Sequence, residues 1–265
     1  MEIMIFVLGL CCGSFVNMLV YRTAERYELE SKKFKVKSKN RSFCDYCGKQ
    51  LHWYENIPVI SWLLQKGRTK CCHKKLPILY PIVEIMTGIL FLITNYKLLI
   101  TNNELQITNY FGFVISLIIV TFLVFSTVFD LKYMILPDFS TVILTSSALL
   151  LWCLGHFGEW NYLLSAIVSF GFLGLLYFFT KGKGMGLGDV KLAFFMGLFL
   201  GPQKTILAFY VAFVVGALVS LVLMVLNKAN KKSLIAFGPF LILGTITAWF
   251  WGNKLISLSV GQFFR

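Results

Sequence analysis

Long apolar runs dominate the pattern of hydrophobic and polar positions, and short polar segments separate most of them. A helix needs about 20 mostly apolar residues to cross the hydrocarbon core of a bilayer. Candidate spans lie at about 1–20, 80–100, 110–129, 138–154, 162–180, 190–201, 204–227 and 234–252. The sixth run is short and could tilt, end early or line a cavity. The pattern predicts an all-α polytopic membrane protein with about eight transmembrane helices.

One sizeable polar segment interrupts this pattern, between residues 22 and 79. We therefore expect a first transmembrane helix over 1–21, a cytoplasmic cysteine-rich segment over 22–79, and a seven-helix membrane-embedded domain over 80–265. The basic run from Lys32 to Arg41 is interpreted as a flank near anionic lipid headgroups. Composition agrees, because 57% of residues are hydrophobic, 14% are charged and the mean hydropathy is +0.75. A soluble globular domain rarely has such a composition.

The net charge of +13 is unevenly distributed along the chain. Lys and Arg concentrate in residues 22–75, whereas the loops at 101–109 and 155–161 contain neither. This positive-inside pattern predicts both termini outside, and it predicts the basic segment, Asp130 and Asp189 on the cytoplasmic side. The first run lacks a basic start, so we expect a retained helix rather than a cleaved signal peptide. The predicted partner is the lipid bilayer, and no nucleic acid is expected.

Cysteines mark a small zinc-knuckle-like unit within the polar segment. Cys44 and Cys47 form a CxxC pair, and Cys71-Cys72-His73 follows after 23 intervening residues. Because so short a unit has only a small hydrophobic core, a structural metal ion is a natural way to stabilise it. Thiolates in a reducing cytosol favour zinc over disulfides. The predicted ligands are Cys44, Cys47, Cys71 and Cys72, with the fourth position open among Cys71, His73 and none. Metal-free folding and redox chemistry are the alternatives.

Two aspartates lie where a membrane protein should avoid them. Asp130 ends the third apolar run, and Asp189 closes the glycine-rich run Gly184-Met185-Gly186-Leu187-Gly188. An aspartate near a bilayer centre costs roughly 2.5–3.5 kcal/mol on the insertion scale, so retained acids indicate a functional site. Irregular backbone at membrane depth is tolerated where protein or water surrounds it. Such a loop suits an acid that water must reach.

Both aspartates also have structural explanations. Pro137 disfavours helix before it, so we expect a helix that ends at Asp130, a turn over 131–137, and Asp138 as the next N-cap. Asp189 could equally cap the sixth helix, with Lys191 as its ion partner.

Two acids on one membrane face favour catalysis instead. Neighbouring carboxyls share one proton, because both cannot ionise cheaply. The ionised member can take a proton from water as it attacks a peptide carbonyl, while the protonated member donates to the carbonyl oxygen.

Several motifs follow one another along nearly the whole chain. They are Gly13-Ser14-Phe15-Val16-Asn17, Cys44–Cys47, Trp53-Tyr54-Glu55-Asn56-Ile57-Pro58-Val59-Ile60-Ser61-Trp62, Tyr80-Pro81-Ile82-Val83-Glu84, Asp130 with Leu136-Pro137-Asp138, and Gly186-Leu187-Gly188-Asp189-Val190-Lys191. This ordered set resembles the type IV prepilin peptidases, which are GxGD aspartic proteases with leader peptidase and N-methyltransferase activities.

The resemblance implies that Asp130 and Asp189 are the catalytic pair. It also implies cleavage of short basic leaders from type IV prepilins and pseudopilins at the cytoplasmic face of the bacterial inner membrane. A second implied activity is methylation of the new N-terminal residue with S-adenosylmethionine, for which no binding motif is visible. The family's zinc site falls on Cys44, Cys47 and Cys72, whereas its remaining cysteine aligns with Thr69, two positions before Cys71.

Two other classes of function compete with the peptidase. In a proton- or ion-coupled transporter the aspartates would bind the coupling ion and the glycine loop would be a broken helix. In a zinc-anchored scaffold of a pilus or secretion assembly they would only cap helices.

Overall fold

Nine α-helices make up most of the described part of the protein. A computed structural model describes residues 2–29, 43–44, 46–101, 107–155, 159–182, 185–226 and 235–263, with side chains left out at 98–101, 107–109 and 259–263. The run from Lys32 to Arg41 and Gly184 lie outside the described residues. The helices are α1 (Glu2–Arg26), α2 (Ile60–Leu64), α3 (Leu79–Thr101), α4 (Ile107–Tyr133), α5 (Asp138–Gly155), α6 (Trp160–Phe179), α7 (Leu187–Leu200), α8 (Pro202–Val225) and α9 (Gly238–Phe263), with a 3-10 turn at Trp53–Asn56.

Eight of these helices, all except α2, coincide with the eight apolar runs. Six of them, α1, α3 to α6 and α8, are long and apolar enough to cross a membrane. Helix α7 has 14 residues, so at 1.5 Å per residue it extends only about 21 Å and falls short of the bilayer core. The expected short sixth helix is therefore present. The all-helical membrane architecture, with a cysteine cluster between the first two long helices, is confirmed.

The chain forms two compact units, of which the first is Met1–Thr101. In this unit α1 packs along α3 with very close backbones. A Cβ placed on Gly9 would lie 2.6 Å from Cα of Gly88, and one on Gly13 would lie 2.6 Å from Cα of Glu84. Small residues allow such an approach between membrane helices. Helix α3, which opens the 80–265 segment, thus packs with the first helix.

The second unit, Asn102–Arg265, is built around α7. Side chains of α7 are fully buried at Leu192, Ala193, Phe195 and Met196, and the helix packs against α5, α6, α8 and α9. A helix that is apolar on all sides is stable only when it is surrounded in this way. The N-terminus of α7, which carries Asp189, is therefore anchored in the core of this unit.

Two helix ends differ from the sequence expectation. Helix α1 continues past residue 21 to Arg26, where polar residues with good helix propensity extend it. Helix α4 continues to Tyr133, so Asp130 lies in its last turn rather than at its end. The reason is that Pro137 restricts only the residue directly before it. The turn is correspondingly shorter than the expected 131–137.

Asp138 and Lys191 form an ion pair that the sequence did not predict. Helix α5 begins at Asp138 itself, and its carboxylate lies 2.6 Å from Nζ of Lys191. The proposed partnership of Lys191 with Asp189 was therefore wrong. Both members of the pair are well exposed, so the pair contributes little to stability.

Candidate active site

Asp130 is held in a tight and nearly dry environment on the last turn of α4. Only 5% of the residue is exposed. Its carboxylate accepts a hydrogen bond from the backbone N–H of Gly238, at the start of α9. A Cβ on Gly238 would lie 2.5 Å from Oδ2 of Asp130, so only glycine allows this approach. Helix α9 thus fixes the position of the Asp130 carboxylate.

Asp189 lies in the first turn of α7 and is 6% exposed. Its Oδ2 accepts a hydrogen bond from the backbone N–H of Gly186 at 3.1 Å. The N-cap residue of α7 is Gly186 and not Asp189. Asp189 is the third residue of the helix, and its side chain caps the helix by binding the backbone N–H of Gly186. The partial positive charge of a helix N-terminus favours a carboxylate there. A structural role and a chemical role are therefore compatible at this residue.

The two carboxylates belong to one neighbourhood within the second unit. Leu136 packs against the backbone beside each aspartate. A Cβ on Gly188, next to Asp189, would lie 2.7 Å from Cβ of Leu136, and a Cβ on Gly238, which binds Asp130, would lie 3.2 Å from Cδ1 of Leu136. The two carboxylates thus lie near enough for their charges to interact. Neither aspartate forms a salt bridge with a described residue. Two neighbouring buried carboxyl groups without a cation are suited to sharing one proton.

Four cysteine sulfurs converge in the first unit. Cys44, Cys47, Cys71 and Cys72 place their Sγ atoms within 4.8 Å of one another. Four thiolates around a tetrahedral zinc, at Zn–S distances of about 2.3 Å, lie about 3.8 Å apart. The Cys44–Cys72 separation is 3.8 Å, that of Cys71–Cys72 is 3.9 Å and that of Cys47–Cys71 is 3.3 Å. The geometry fits a tetrahedral ion, and the donors suit zinc.

A repeated backbone turn explains why the fourth sulfur comes from Cys71. The bridges Phe43 to Gln50 and Arg68 to Lys75 enclose two equivalent turns that are offset by 25 residues. Cys44 N–H donates to the carbonyl of Lys49, as Thr69 N–H does to that of Lys74. Thr69 therefore occupies the position of Cys44, and Cys71 supplies the missing sulfur from a different place in the turn. The repeat is present in the sequence, where residues 43–50 align with residues 68–75 and share a cysteine at Cys47 and Cys72.

His73 takes the place of Gly48 in the repeated turn and has no part in the cluster. Its φ of 55° matches the left-handed φ of 68° at Gly48. Histidine is exposed there, and the cluster contains only cysteines. Of the three possibilities for the fourth position, the geometry selects Cys71.

The thiols of the cluster differ in acidity. A hydrogen bond from the Thr69 hydroxyl, 3.1 Å from Sγ, is the main cause that lowers the pKa of Cys72 to about 7. Burial, followed by the contact with Cys47, raises the pKa of Cys71 to about 12. The Thr69 hydroxyl thus stabilises the neighbouring Cys72 thiolate, and a cation bound in the cluster would favour the thiolate form of Cys71.

Two protein families match separate parts of the chain. Residues 7–98 match the Bacterial Peptidase A24 N-terminal domain. Residues 117–221 match the Type IV leader peptidase family, and this range contains both Asp130 and Asp189. The part of the chain that contains both acids thus matches a family of peptidases.

Curated relatives extend this match over most of the chain. A prepilin leader peptidase/N-methyltransferase of Pectobacterium carotovorum subsp. carotovorum is 32% identical over 258 residues, which cover 91% of this chain and 89% of the relative. A protein of the same name from Neisseria gonorrhoeae is 31% identical, and the match covers 92% of this chain and 87% of the relative. Another from Bacillus subtilis (strain 168) is 28% identical, and the match covers 97% of this chain and 96% of the relative. No solved structure matches the chain.

The chain therefore belongs to the prepilin leader peptidase/N-methyltransferase family. It is an enzyme, a peptidase, and a multi-pass protein of the inner membrane. Family membership favours the peptidase over the transporter and scaffold hypotheses.

Proposed function

We propose that this protein is a membrane-embedded aspartyl endopeptidase that removes the leaders of type IV prepilins and pseudopilins. The observation that carries the proposal is the pair of buried carboxylates, Asp130 and Asp189, held near each other by α4, α7 and α9. Relatives with the printed name prepilin leader peptidase support the substrate class.

The pair performs hydrolysis by general acid and base catalysis. The ionised aspartate takes a proton from water as the water oxygen attacks the scissile carbonyl carbon, and the protonated aspartate donates its proton to the carbonyl oxygen. Collapse of the tetrahedral intermediate then breaks the C–N bond, and the leaving amine takes up a proton from the pair. The shared proton belongs to both groups, so neither has a fixed starting role.

The reaction takes place at the cytoplasmic face in this proposal. The distribution of Lys and Arg supports an outward N-terminus and a cytoplasmic cysteine-rich segment. Asp130 and Asp189 then lie at cytoplasmic ends of their helices.

Zinc and a methyl donor complete the proposed function. Cys44, Cys47, Cys71 and Cys72 hold a structural zinc ion that stabilises the small cysteine-rich segment. The printed name of the relatives supports N-methylation of the new N-terminus with S-adenosylmethionine.

The dyad is tested by Asp130→Asn and Asp189→Asn, each assayed for cleavage of a prepilin substrate in membranes at matched expression. Removing one member of a catalytic unit should lower the rate by about 10³-fold or more. Asp138→Asn is the matched control, because Asp138 is an exposed aspartate whose ion partner within the described part of the chain is Lys191, at 2.6 Å. It lies eight positions after Asp130. Near-wild-type cleavage by either of the first two variants would return that aspartate to a structural role.

A further inference from the structure

A groove of about 480 Å³ runs along the surface of the second unit between α6 and α8. Its walls are mainly apolar, with Val168 and Phe172 on α6 and Ile206 on α8. It follows residues 161–172 of one helix and 202–213 of the other, which at 1.5 Å per residue corresponds to a length of about 17 Å. Both helices are long and apolar enough to cross the membrane, so an occupant of the groove has to come from within the bilayer.

The floor of the groove consists of small residues whose hydroxyl groups already have partners. Ser169 donates to the backbone carbonyl of Ser165 at 2.6 Å, and Thr205 donates to that of Gly201 at 2.6 Å. The Ser165 hydroxyl donates to the hydroxyl of Thr205 at 3.4 Å. These three hydroxyls need no acceptor from an occupant, and such small side chains allow another membrane helix to approach closely.

Aromatic rings connect one end of the groove to the Asp130 site. Phe172 and Phe213 lie at this end, with ring centres 6.4 Å apart. Phe213 in turn packs against Phe237, with ring centres 5.1 Å apart. Phe237 directly precedes Gly238, whose backbone N–H binds the Asp130 carboxylate. The groove therefore ends beside the residue that positions one of the two proposed catalytic groups.

The proposed reaction specifies what a groove in this position has to hold. A short basic leader is cut at the cytoplasmic face, so the part of the substrate that enters the bilayer follows the scissile bond. A chain segment at membrane depth has to be helical unless it belongs to a closed barrel, because its backbone hydrogen bonds cannot be satisfied otherwise. A length of about 17 Å accommodates about 11 residues of such a helix.

We propose that the groove between α6 and α8 is the docking site for the apolar helix that follows the scissile bond of the substrate. The proposal rests on the proposed peptidase function and adds where the substrate binds. The substrate helix starts at the Phe172 end, beside the aspartates, and runs toward Asn161, next to the loop at 155–161 that is predicted to lie outside. Apolar contacts along the groove then give affinity, as in other cases of a helix bound in an apolar groove.

Filling the groove tests the proposal through substrate preference. The purified protein is given a full-length prepilin, or a peptide with the same leader and cleavage site that ends before the apolar helix. The ratio of the two kcat/KM values measures what the helix contributes to binding. Val168→Trp, at a residue that is 60% exposed and lines the groove, should lower this ratio at least about tenfold.

Ile167→Trp is the matched control for this substitution. Ile167 is the neighbouring residue on α6, is 62% exposed and lies outside the groove lining. The same bulky side chain at this position should leave the ratio within about twofold of wild type.

Photo-crosslinking identifies the occupant directly. Benzoylphenylalanine replaces Ile206, which is 70% exposed in the groove, or Leu218, which is 57% exposed on the same helix outside the lining. Asp189→Asn serves as the background, because the substrate should then remain uncut. In vesicles that contain the full-length prepilin, the probe at position 206 should crosslink to the prepilin and the probe at position 218 should not.

The outcomes distinguish this proposal from the function on which it rests. A lower ratio in Val168→Trp but not in Ile167→Trp, together with a prepilin crosslink at position 206, supports the docking site. An unchanged ratio in Val168→Trp, or a crosslink at position 206 only to lipid or to a second copy of this chain, overturns the docking site and leaves the peptidase intact. Equal kcat/KM values of the wild type for the two substrates have the same consequence. If the wild type cleaves neither substrate, the proposed function itself fails. If Val168→Trp does not fold, the crosslink decides the question.

Discussion

Replacing Gly238 with alanine should separate the activity of this enzyme from its stability. Gly238 is the first residue of α9, and its N–H bonds to the Asp130 carboxylate. A Cβ at this position would lie 2.5 Å from Oδ2 and 3.2 Å from Cγ of Asp130. Since an ordinary contact begins at 3.4 Å, the carboxylate oxygen must recede by about 0.9 Å.

The structure sets the expected size of both effects. A displacement of about 1 Å of a reacting group costs on the order of 10²-fold in rate, so Gly238→Ala should lower kcat by about that factor. The atoms in the way are the ends of two side chains, the Asp130 carboxylate and Cδ1 of Leu136, and both can shift. Alanine also favours a helix interior by roughly 0.5–1 kcal/mol over glycine. The free energy of unfolding should therefore change by less than about 1 kcal/mol.

Cleavage of a prepilin substrate and thermal unfolding in detergent are measured on the same preparation. Gly171→Ala is the control, because a Cβ at Gly171 in α6 meets nothing within 4 Å. It should retain full activity and stability. Full activity of Gly238→Ala would refute the argument that the Asp130 carboxylate must hold its observed position. Unfolding of Gly238→Ala would show that the clash is not confined to a side chain.

Two further predictions concern packing and metal binding. Gly197→Ala should destabilise the protein by about 1–3 kcal/mol or more. The added Cβ would lie 2.5 Å from the backbone Cα of Ala166, which cannot rotate away. An unchanged melting temperature would contradict the close packing of α6 on α7. Cys71→Ser should lower the amount of zinc that the purified protein retains, because Cys71 belongs to the sulfur cluster. His73→Ala should leave the zinc content unchanged, because His73 lies outside that cluster. Equal zinc in both variants by elemental analysis would show that Cys71 is not a ligand.

Much of the architecture was predictable because membrane insertion depends on local composition. The free energy of transferring a helix to a bilayer is close to a sum over its residues, so the eight apolar runs indicated the eight helices, including the short α7. The same logic made Asp130 and Asp189 conspicuous. Each costs free energy where it stands, whatever its neighbours are. The spacing of Cys44 and Cys47 likewise indicates a metal site from the sequence alone.

Partner choice was not predictable, because it depends on which distant segments pack together. Lys191 pairs with Asp138 and not with Asp189, since α5 and α7 are neighbours. The Glu84 carboxylate accepts a hydrogen bond from the backbone N–H of Val59, 25 residues away, a contact that forms only when the segment after α1 folds back onto α3.

The aspartates proposed for catalysis can be recognised in the sequence by the free energy that each costs in an apolar chain, which is a property of the residue and its immediate sequence. Their arrangement follows from helix packing. Gly238 reaches the Asp130 carboxylate only because α9 lies against α4, and Cys71 enters the cluster only because a repeated turn presents Thr69 where a cysteine would stand. These contacts join segments far apart in the chain, and their free energies exist only after folding.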